Sequence, residues 1–337
     1  MTPPPPNATP PPPNATPRPP GATPLPLDHA PVDATPLPAD HAPVARTPVV
    51  ARDISPPDPA AVARIVAAAL AEDLAAGDPT SEGLFRPDAT CEMTLLQKEP
   101  GVVCGLGVVA AVFGAIDPRV VVTATHSDGE HLATVPTELA RVAGPARAVL
   151  AGERTALNLL GRLSGIATMA ACCVAELDGT GAILLDTRKT TAGLRELEKY
   201  AVRCGGARNH RLNLGEALLV KDNHLRLAGG IAVAVARLRD ARSKLSLEVE
   251  AETLDDVRAA LASGVDRILL DNMATDQMRE AVALCRRAAG GAVETEASGG
   301  ITPANLREVG ETGVNYISMG ALTHSPKALD VSLEVAS

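Results

Sequence analysis

The chain has 337 residues, 46% of them apolar, which at roughly 100–200 residues per domain predicts about two domains with a sizeable core. There is no Trp, and Phe85, Phe113, Tyr200 and Tyr316 are its aromatic residues, so a base-stacking platform for single-stranded nucleic acid is not expected. The net charge of −9, from 31 basic and 40 acidic residues, has the wrong sign for a general binder of nucleic acid or of an anionic membrane.

Proline marks the first boundary. Of 29 prolines, 21 lie in the first 59 residues. PPPNATP at Pro4–Pro10 recurs at Pro11–Pro17, and TPLPLDHAPV at Thr23–Val32 recurs as TPLPADHAPV at Thr35–Val44. Such a composition buries too little apolar surface to offset chain entropy, so residues 1–58 read as a disordered Pro/Ala/Thr-rich extension. His29 and His41 read as repeat residues rather than metal ligands. No basic region followed by an apolar core opens the chain, so no signal peptide is expected.

Ordered structure is predicted from near Ala60. Ala61–Ala71 has helical spacing, and Cys91–Leu96 and Val120–Thr125 read as strands. The apolar stretch Gly101–Ile116 falls short of the roughly 20 residues of a membrane helix. Two helices follow, Ala146–Leu163 and Ala167–Leu177. Cys91, Cys104, Cys172, Cys173, Cys204 and Cys285 match no zinc or redox spacing and read as reduced thiols of a cytoplasmic protein.

The pattern then changes. Apolar runs close on polar residues at Ile183–Asp186, Leu218–Lys221, Leu247–Glu250, Ile268–Asp271, Glu294–Ser298 and Tyr316–Ser318. Helical patterns at Leu254–Ala262, Thr275–Ala289 and Pro303–Val309 separate several of them. Alternating strands and helices predict a parallel sheet, and the spacing suits a β/α barrel with its chemistry at the C-terminal strand ends.

Three groups of residues gather there. The first is cationic: Arg188 and Lys189 within Asp186-Thr187-Arg188-Lys189-Thr190, then His210, Arg211 and Lys221. An acidic protein has no general reason to aim so many cations at one barrel mouth, and a multiply anionic ligand supplies one; a guanidinium matches a carboxylate in two bonds. The competing use of these cations is surface pairing with Glu196 and Glu198. The second group is Glu250 and Asp271, which suggest a magnesium position completed by water and substrate oxygens, with Glu248 as the rival ligand. The third is Ser298-Gly299-Gly300 and Ser318-Met319-Gly320, two strand–Gly turns of the kind that cradle phosphate near the end of a barrel.

Residues 60–330 resemble the quinolinate phosphoribosyltransferase family, also called nicotinate-nucleotide pyrophosphorylase (carboxylating). The resemblance rests on Glu72–Thr80 (EDLAAGDPT), Gly152–Leu159 (GERTALNL), Ser164–Thr168 (SGIAT), Asp186–Thr190 (DTRKT), His210–Asn213 (HRLN), Lys221–His224 (KDNH), Glu248–Glu250 (EVE), Leu270–Met273 (LDNM), Glu296–Ile301 (EASGGI) and Ser318–Ser325 (SMGALTHS), in the family's order. Ala75 stands where a Gly is more usual, and the Pro-rich extension has no counterpart. The resemblance implies an α/β fold: an N-terminal α/β sandwich (59–165), an open, incomplete β/α barrel (166–325) and a C-terminal segment (326–337) free to return to the first domain. It implies phosphoribosyl transfer from phosphoribosyl pyrophosphate to quinolinate, with decarboxylation to nicotinate mononucleotide, using magnesium and no organic cofactor.

By position, the resemblance assigns Arg188, His210, Arg211 and Lys221 to quinolinate and Lys189 to both substrates, with Thr187 a further substrate-binding residue. Glu250 and Asp271 go to the ribose and magnesium, and Ser298, Gly299, Gly300 and Gly320 to the 5′-phosphate, with His324 assisting. Arg154 is assigned to the neighbouring subunit's site, which makes a homodimer the minimal active unit. Lys189, Glu250 and Asp271 are the expected catalytic residues. A Schiff-base lyase using Lys189 or Lys221 is the rival from another enzyme class.

Overall fold

A computed structural model describes residues 54–242, 244–288 and 293–336. The disorder expected for residues 1–58 lies outside the described residues up to position 53. Ile54–Asp58 are described and belong to the fold. Ile54 packs against the core, and the Ser55 carbonyl accepts from Arg203 Nη2 at 2.8 Å. The folded chain therefore starts before Ala60.

α1 (Pro59–Asp73) is begun by Asp58, whose carboxylate accepts from the Ala60 amide at 3.1 Å, with Pro59 in the first turn. α2 (Pro79–Leu84) repeats the device with Asp78 and Pro79. β1 (Thr90–Gln97), β3 (Val121–Ala124), β5 (Thr137–Pro145) and the C-terminal β12 (Val331–Val335) form an antiparallel sheet in the order β12-β1-β5-β3. The last strand of the chain thus completes the first sheet. Short β2 (Gly101–Val102) pairs with β4 (His131–Leu132), and α3 (Leu106–Ile116) fills the apolar stretch after it.

The largest departure from the sequence pattern is α4 (Ala146–Glu176), one helix of 31 residues where two are predicted. Ser164-Gly165 looks like a break but is a contact point. Ser164 Oγ accepts from the Cys104 amide at 3.0 Å and lies 3.2 Å from the Cys104 carbonyl, to which it donates. A Cβ at Gly165 would sit 2.0 Å from the Lys327 carbonyl oxygen, so only glycine lets the returning chain cross the helix here. By length and composition α4 could cross a bilayer, which the two shorter predicted helices could not. Its apolar side is instead spent on this molecule: Leu160, Leu163, Ile166 and Ala170 are fully buried.

All six predicted barrel strands form. β6 (Ile183–Leu185), β7 (Leu218–Val220), β8 (Leu247–Ala251), β9 (Arg267–Asp271), β10 (Glu294–Ser298) and β11 (Tyr316–Ser318) make one parallel sheet in the order β6-β11-β10-β9-β8-β7. A parallel bridge from Leu185 to Arg208 extends one edge, and no strand among the described residues joins it to β7. The barrel is therefore open along that seam. α5 (Arg195–Cys204), α6 (Asp222–Ala228), α7 (Ile231–Arg242), α8 (Leu254–Ala262), α9 (Thr275–Arg287), α10 (Leu306–Gly310) and α11 (Ala321–His324) complete the domain. α8 begins at a reciprocal cap between Thr253 and Asp256. α10 is shorter than predicted because Asn305 Oδ1 accepts from the Thr302 amide at 2.8 Å, holding 302–305 as a turn.

Candidate active site

Asp186 closes β6 and is fully buried. Its Oδ1 accepts from Lys199 Nζ at 2.5 Å and from the His210 amide at 2.8 Å, and its Oδ2 accepts from Asn209 Nδ2 at 2.6 Å. Lys199 also donates to the His210 carbonyl at 2.8 Å. Burial pushes the Asp186 carboxyl up and the Lys199 ammonium down, each against the pull of its partner. Past Asp186 come Thr187, Arg188 and Lys189. Thr187 Oγ1 accepts from the Lys189 amide at 3.0 Å, a local turn that sets the direction of the two cations.

Arg188 and Arg211 lie within electrostatic reach of each other. Burial and the Arg188 charge together lower the pKa of Arg211. The Nε of each guanidinium is buried with no hydrogen-bond partner among the described residues. Arg211 Nη1 donates to the Ala217 carbonyl at 2.9 Å, which fixes its stem. A cavity of about 290 Å³ borders Arg211, with Glu196, Arg203, His210 and Glu216 also in its wall; Arg188 does not line it.

His210 sits deeper than its neighbours, its side chain 10% exposed. Nδ1 accepts from the Arg211 amide at 2.7 Å, while Nε2 lies 3.2 Å from Glu248 and 3.6 Å from Glu296. Glu248 thus pairs with the imidazole, away from the Glu250 and Asp271 group that it was set to rival. Burial lowers the His210 pKa, but the Glu248 hydrogen bond and the two carboxylate charges outweigh it and leave it raised. Burial and the Glu248 charge push Glu296 up to about 7. Arg267 closes the layer beneath: it reaches Glu294 at 2.8 Å and Glu296 at 3.1 Å and stacks 3.9 Å from the Tyr316 ring centre.

On the far side, Lys221 Nζ donates to Glu250 at 3.1 Å and the Asp222 amide donates to it at 3.3 Å. Carboxylate oxygens of Glu250, Glu252 and Asp271 lie within 4.8 Å of one another. Strand pattern finds the first and third, while Glu252, just past the end of β8, was passed over as a flanking residue. Asn272 follows in the left-handed region at φ 53°, its amide against Gly299. Gly299 has φ 83°, and a Cβ there would meet Asn272 Oδ1 at 2.4 Å, so the turn after Ser298 requires glycine. Gly300 follows with φ 62°. Ser318 Oγ donates to Ser298 Oγ at 3.1 Å, joining the two glycine turns. At the second turn, the Lys189 side chain and His324 Nε2 both border Gly320, at 3.0 and 3.2 Å from where its Cβ would be.

Two predicted partners lie elsewhere. Glu198, expected as a surface counter-charge, is fully buried and accepts from the Thr191 amide and hydroxyl and from Arg162 at 2.8 Å. The reason is that α5 is buried on every side over Leu197–Val202, which leaves Glu198 no solvent face. Arg154 stands exposed on α4 and makes no hydrogen bond or ion pair among the described residues. Sequence reasoning missed Arg162, Lys199 and Asn209. The available signal was a charged pair, Glu198-Lys199, embedded between Leu197 and Ala201.

Cations with free donors on one rim, three carboxylates on the other and a glycine-lined turn between them define a β/α-barrel enzyme for a multiply anionic small substrate. Residues 78–164 and 166–334 match the models of the N-terminal and C-terminal domains of quinolinate phosphoribosyl transferase. A probable nicotinate-nucleotide pyrophosphorylase [carboxylating] of Bacillus subtilis is 43% identical over 265 residues, 78% of this chain and 90% of that protein. Its counterpart in Synechocystis is 44% identical over 268 residues, 79% of this chain and 90% of that protein. The solved nicotinate-nucleotide pyrophosphorylase of Francisella tularensis superposes with a TM-score of 0.79 at 37% identity, covering 84% of this chain and 99% of that one. The chain belongs to the quinolinate phosphoribosyl transferase family.

Proposed function

We propose that the protein transfers the phosphoribosyl group of phosphoribosyl pyrophosphate to quinolinate and releases pyrophosphate and carbon dioxide, forming nicotinate mononucleotide for NAD synthesis. The observation that carries this reading is the Arg188–Arg211 pair. Two guanidiniums within electrostatic reach of each other, each with an unused buried donor, suit a planar ligand with two carboxylates. Lys221, across the mouth beside Glu250, adds a third positive charge.

The sugar donor brings a 5′-phosphate and a pyrophosphate. The turns at Ser298–Gly300 and Gly320 offer backbone amides to the first. Lys189, beside Gly320, is placed to reach the second. The quinolinate nitrogen attacks carbon 1 of the ribose as the bond to pyrophosphate breaks, with positive charge spreading over the ring. Glu250 and Asp271 stabilise that charge from the opposite rim. The carboxyl next to the ring nitrogen then leaves as carbon dioxide. Its bonding pair stays on the ring carbon, beside the cationic nitrogen, until a proton replaces it. The protein's main work is to hold two mutually repelling anions in contact.

Glu250, Asp271 and Glu252 present hard oxygen donors in one group, which fits a magnesium ion. Bound there, the ion supplies charge neutralisation to the pyrophosphate. Arg154, exposed and unpaired among the described residues, is proposed to complete the site of a second subunit, which makes the active unit a homodimer.

Purified protein given quinolinate, phosphoribosyl pyrophosphate and magnesium should release pyrophosphate and carbon dioxide in equal amounts, and chelation of the metal should stop both. Turnover of nicotinate in place of quinolinate, or no product from protein that is folded by circular dichroism, would sink the reading.

A further inference from the structure

We propose that Lys199 is a positioning residue for quinolinate, acting through Asp186 and the His210 backbone to hold the two arginine loops at their spacing. The inference rests on the function proposed above. Arg188 lies on the loop after β6 and Arg211 on the loop after the Arg208 bridge, with the open seam of the barrel beyond. These loops lack the continuous strand pairing that fixes β8, β9 and β10, and the two cations push them apart.

Lys199 reinforces the short backbone link at their roots, where the Asp186 amide donates to the Arg208 carbonyl at 3.1 Å and the Arg208 amide to the Leu184 carbonyl at 2.9 Å. Its ammonium, 2% exposed, donates to Asp186 at the root of one loop and to the His210 carbonyl at the root of the other. Asp186 adds its own links to the second loop, through the His210 amide and the Asn209 side chain, and Asn209 Oδ1 is held in turn by Arg203 at 2.7 Å. The adjacent Glu198 does the corresponding work one face over. It fixes the Thr191 end of the first loop and meets Arg162, which also binds the Thr323 carbonyl and lies 3.2 Å from the Pro326 carbonyl. α5 thus carries two neighbouring charges, each tying down a different edge of the mouth.

A buried ion pair is weak evidence for stability, because desolvation of both charges offsets most of their attraction. Geometry is the better account of this one: every partner of Lys199 and Asp186 is a root of a cation-bearing loop or the helix that anchors it.

The test compares wild type with Lys199→Met, with the charge-neutral double variant Lys199→Met/Asp186→Asn and with the milder Asn209→Ala. Quinolinate affinity is measured by calorimetry, the KM for phosphoribosyl pyrophosphate by turnover, and Tm by circular dichroism. A misplacement of about an ångström should weaken quinolinate about tenfold or more in the first two, and several-fold in the third. The KM for the sugar donor should rise by clearly less than quinolinate affinity falls, because Lys189 alone among its proposed contacts lies on these loops. The double variant should recover Tm relative to the single one without recovering quinolinate affinity. Any folded variant that binds quinolinate like wild type, or loses both substrates equally, overturns the inference. A wild type that binds no quinolinate sinks the proposed function and this inference together, whereas intact variants of an active wild type sink this inference alone.

Discussion

Glu248, Glu296 and His210 place two carboxylates and an imidazole in a layer that water barely reaches. Arg267 pairs with Glu296 at 3.1 Å, and His210 Nε2 lies 3.2 Å from Glu248. The consequence is a pH dependence with a definite sign. Glu296 titrates near about 7 when folded, against an ordinary value of 4.5. Between those values the native state keeps a proton that the unfolded chain has released, so stability falls as pH rises across the interval. His210 has the same sign: its raised pKa gives a contribution present below the unfolded value and lost as pH climbs through the folded one. Urea unfolding of wild type should therefore show less stability at pH 8 than at pH 5. Glu296→Gln should remove of order 1–3 kcal/mol of that difference. Parallel curves for the two proteins would contradict the assignment. This layer was hard to see in the sequence. Alternation places Glu248 on the same face as Glu250, but only the fold shows that Glu248 turns to the imidazole and Glu250 to Lys221.

The helices that were legible are those whose burial follows one face, such as α8 and α9, and the strands that were legible are short apolar runs ending in a polar residue. α4 was legible as helix but not as one helix, because Ser164-Gly165 carries the signature of a break. What keeps it continuous is tertiary: the hydroxyl bonds Cys104, and the missing side chain admits the 327–329 backbone, whose Leu329 amide donates to Gly161 at 2.9 Å. The same logic gives a paired prediction. Gly165→Ala should cost about 1–3 kcal/mol in urea unfolding, because the returning backbone must shift and carry β12 with it. Gly114→Ala, in α3 with nothing within 4 Å of the new methyl, should instead stabilise by about 0.5–1 kcal/mol. If both substitutions changed stability alike, Gly165 would be an ordinary helix glycine and the close crossing would play no part.

At the scale of the whole molecule, the sheet that opens the chain is closed by its last strand, and the barrel between them is left open along one seam. The six barrel strands were readable from the sequence because each apolar run ends in a residue of distinct chemistry; their order in the sheet was not. The seam and the return of β12 were not, since neither leaves a local pattern. Arg154 makes this scale testable. It stands exposed on α4, with no partner among the described residues, while the rim cations follow the C-terminal ends of the barrel strands. If the active unit is a symmetric dimer, each site takes Arg154 from one subunit and Arg211 from the other. Arg154→Ala and Arg211→Ala proteins should each be nearly inactive and each fold normally. Mixed one to one with subunit exchange, about half of the dimers carry one of each subunit, and one of their two sites then escapes both substitutions. Activity should return to roughly a quarter of wild type, measured as pyrophosphate release. Exchange demonstrated by native mass spectrometry without any recovery would place Arg154 outside the neighbour's site, and the rim cations of a single chain would have to hold quinolinate without it.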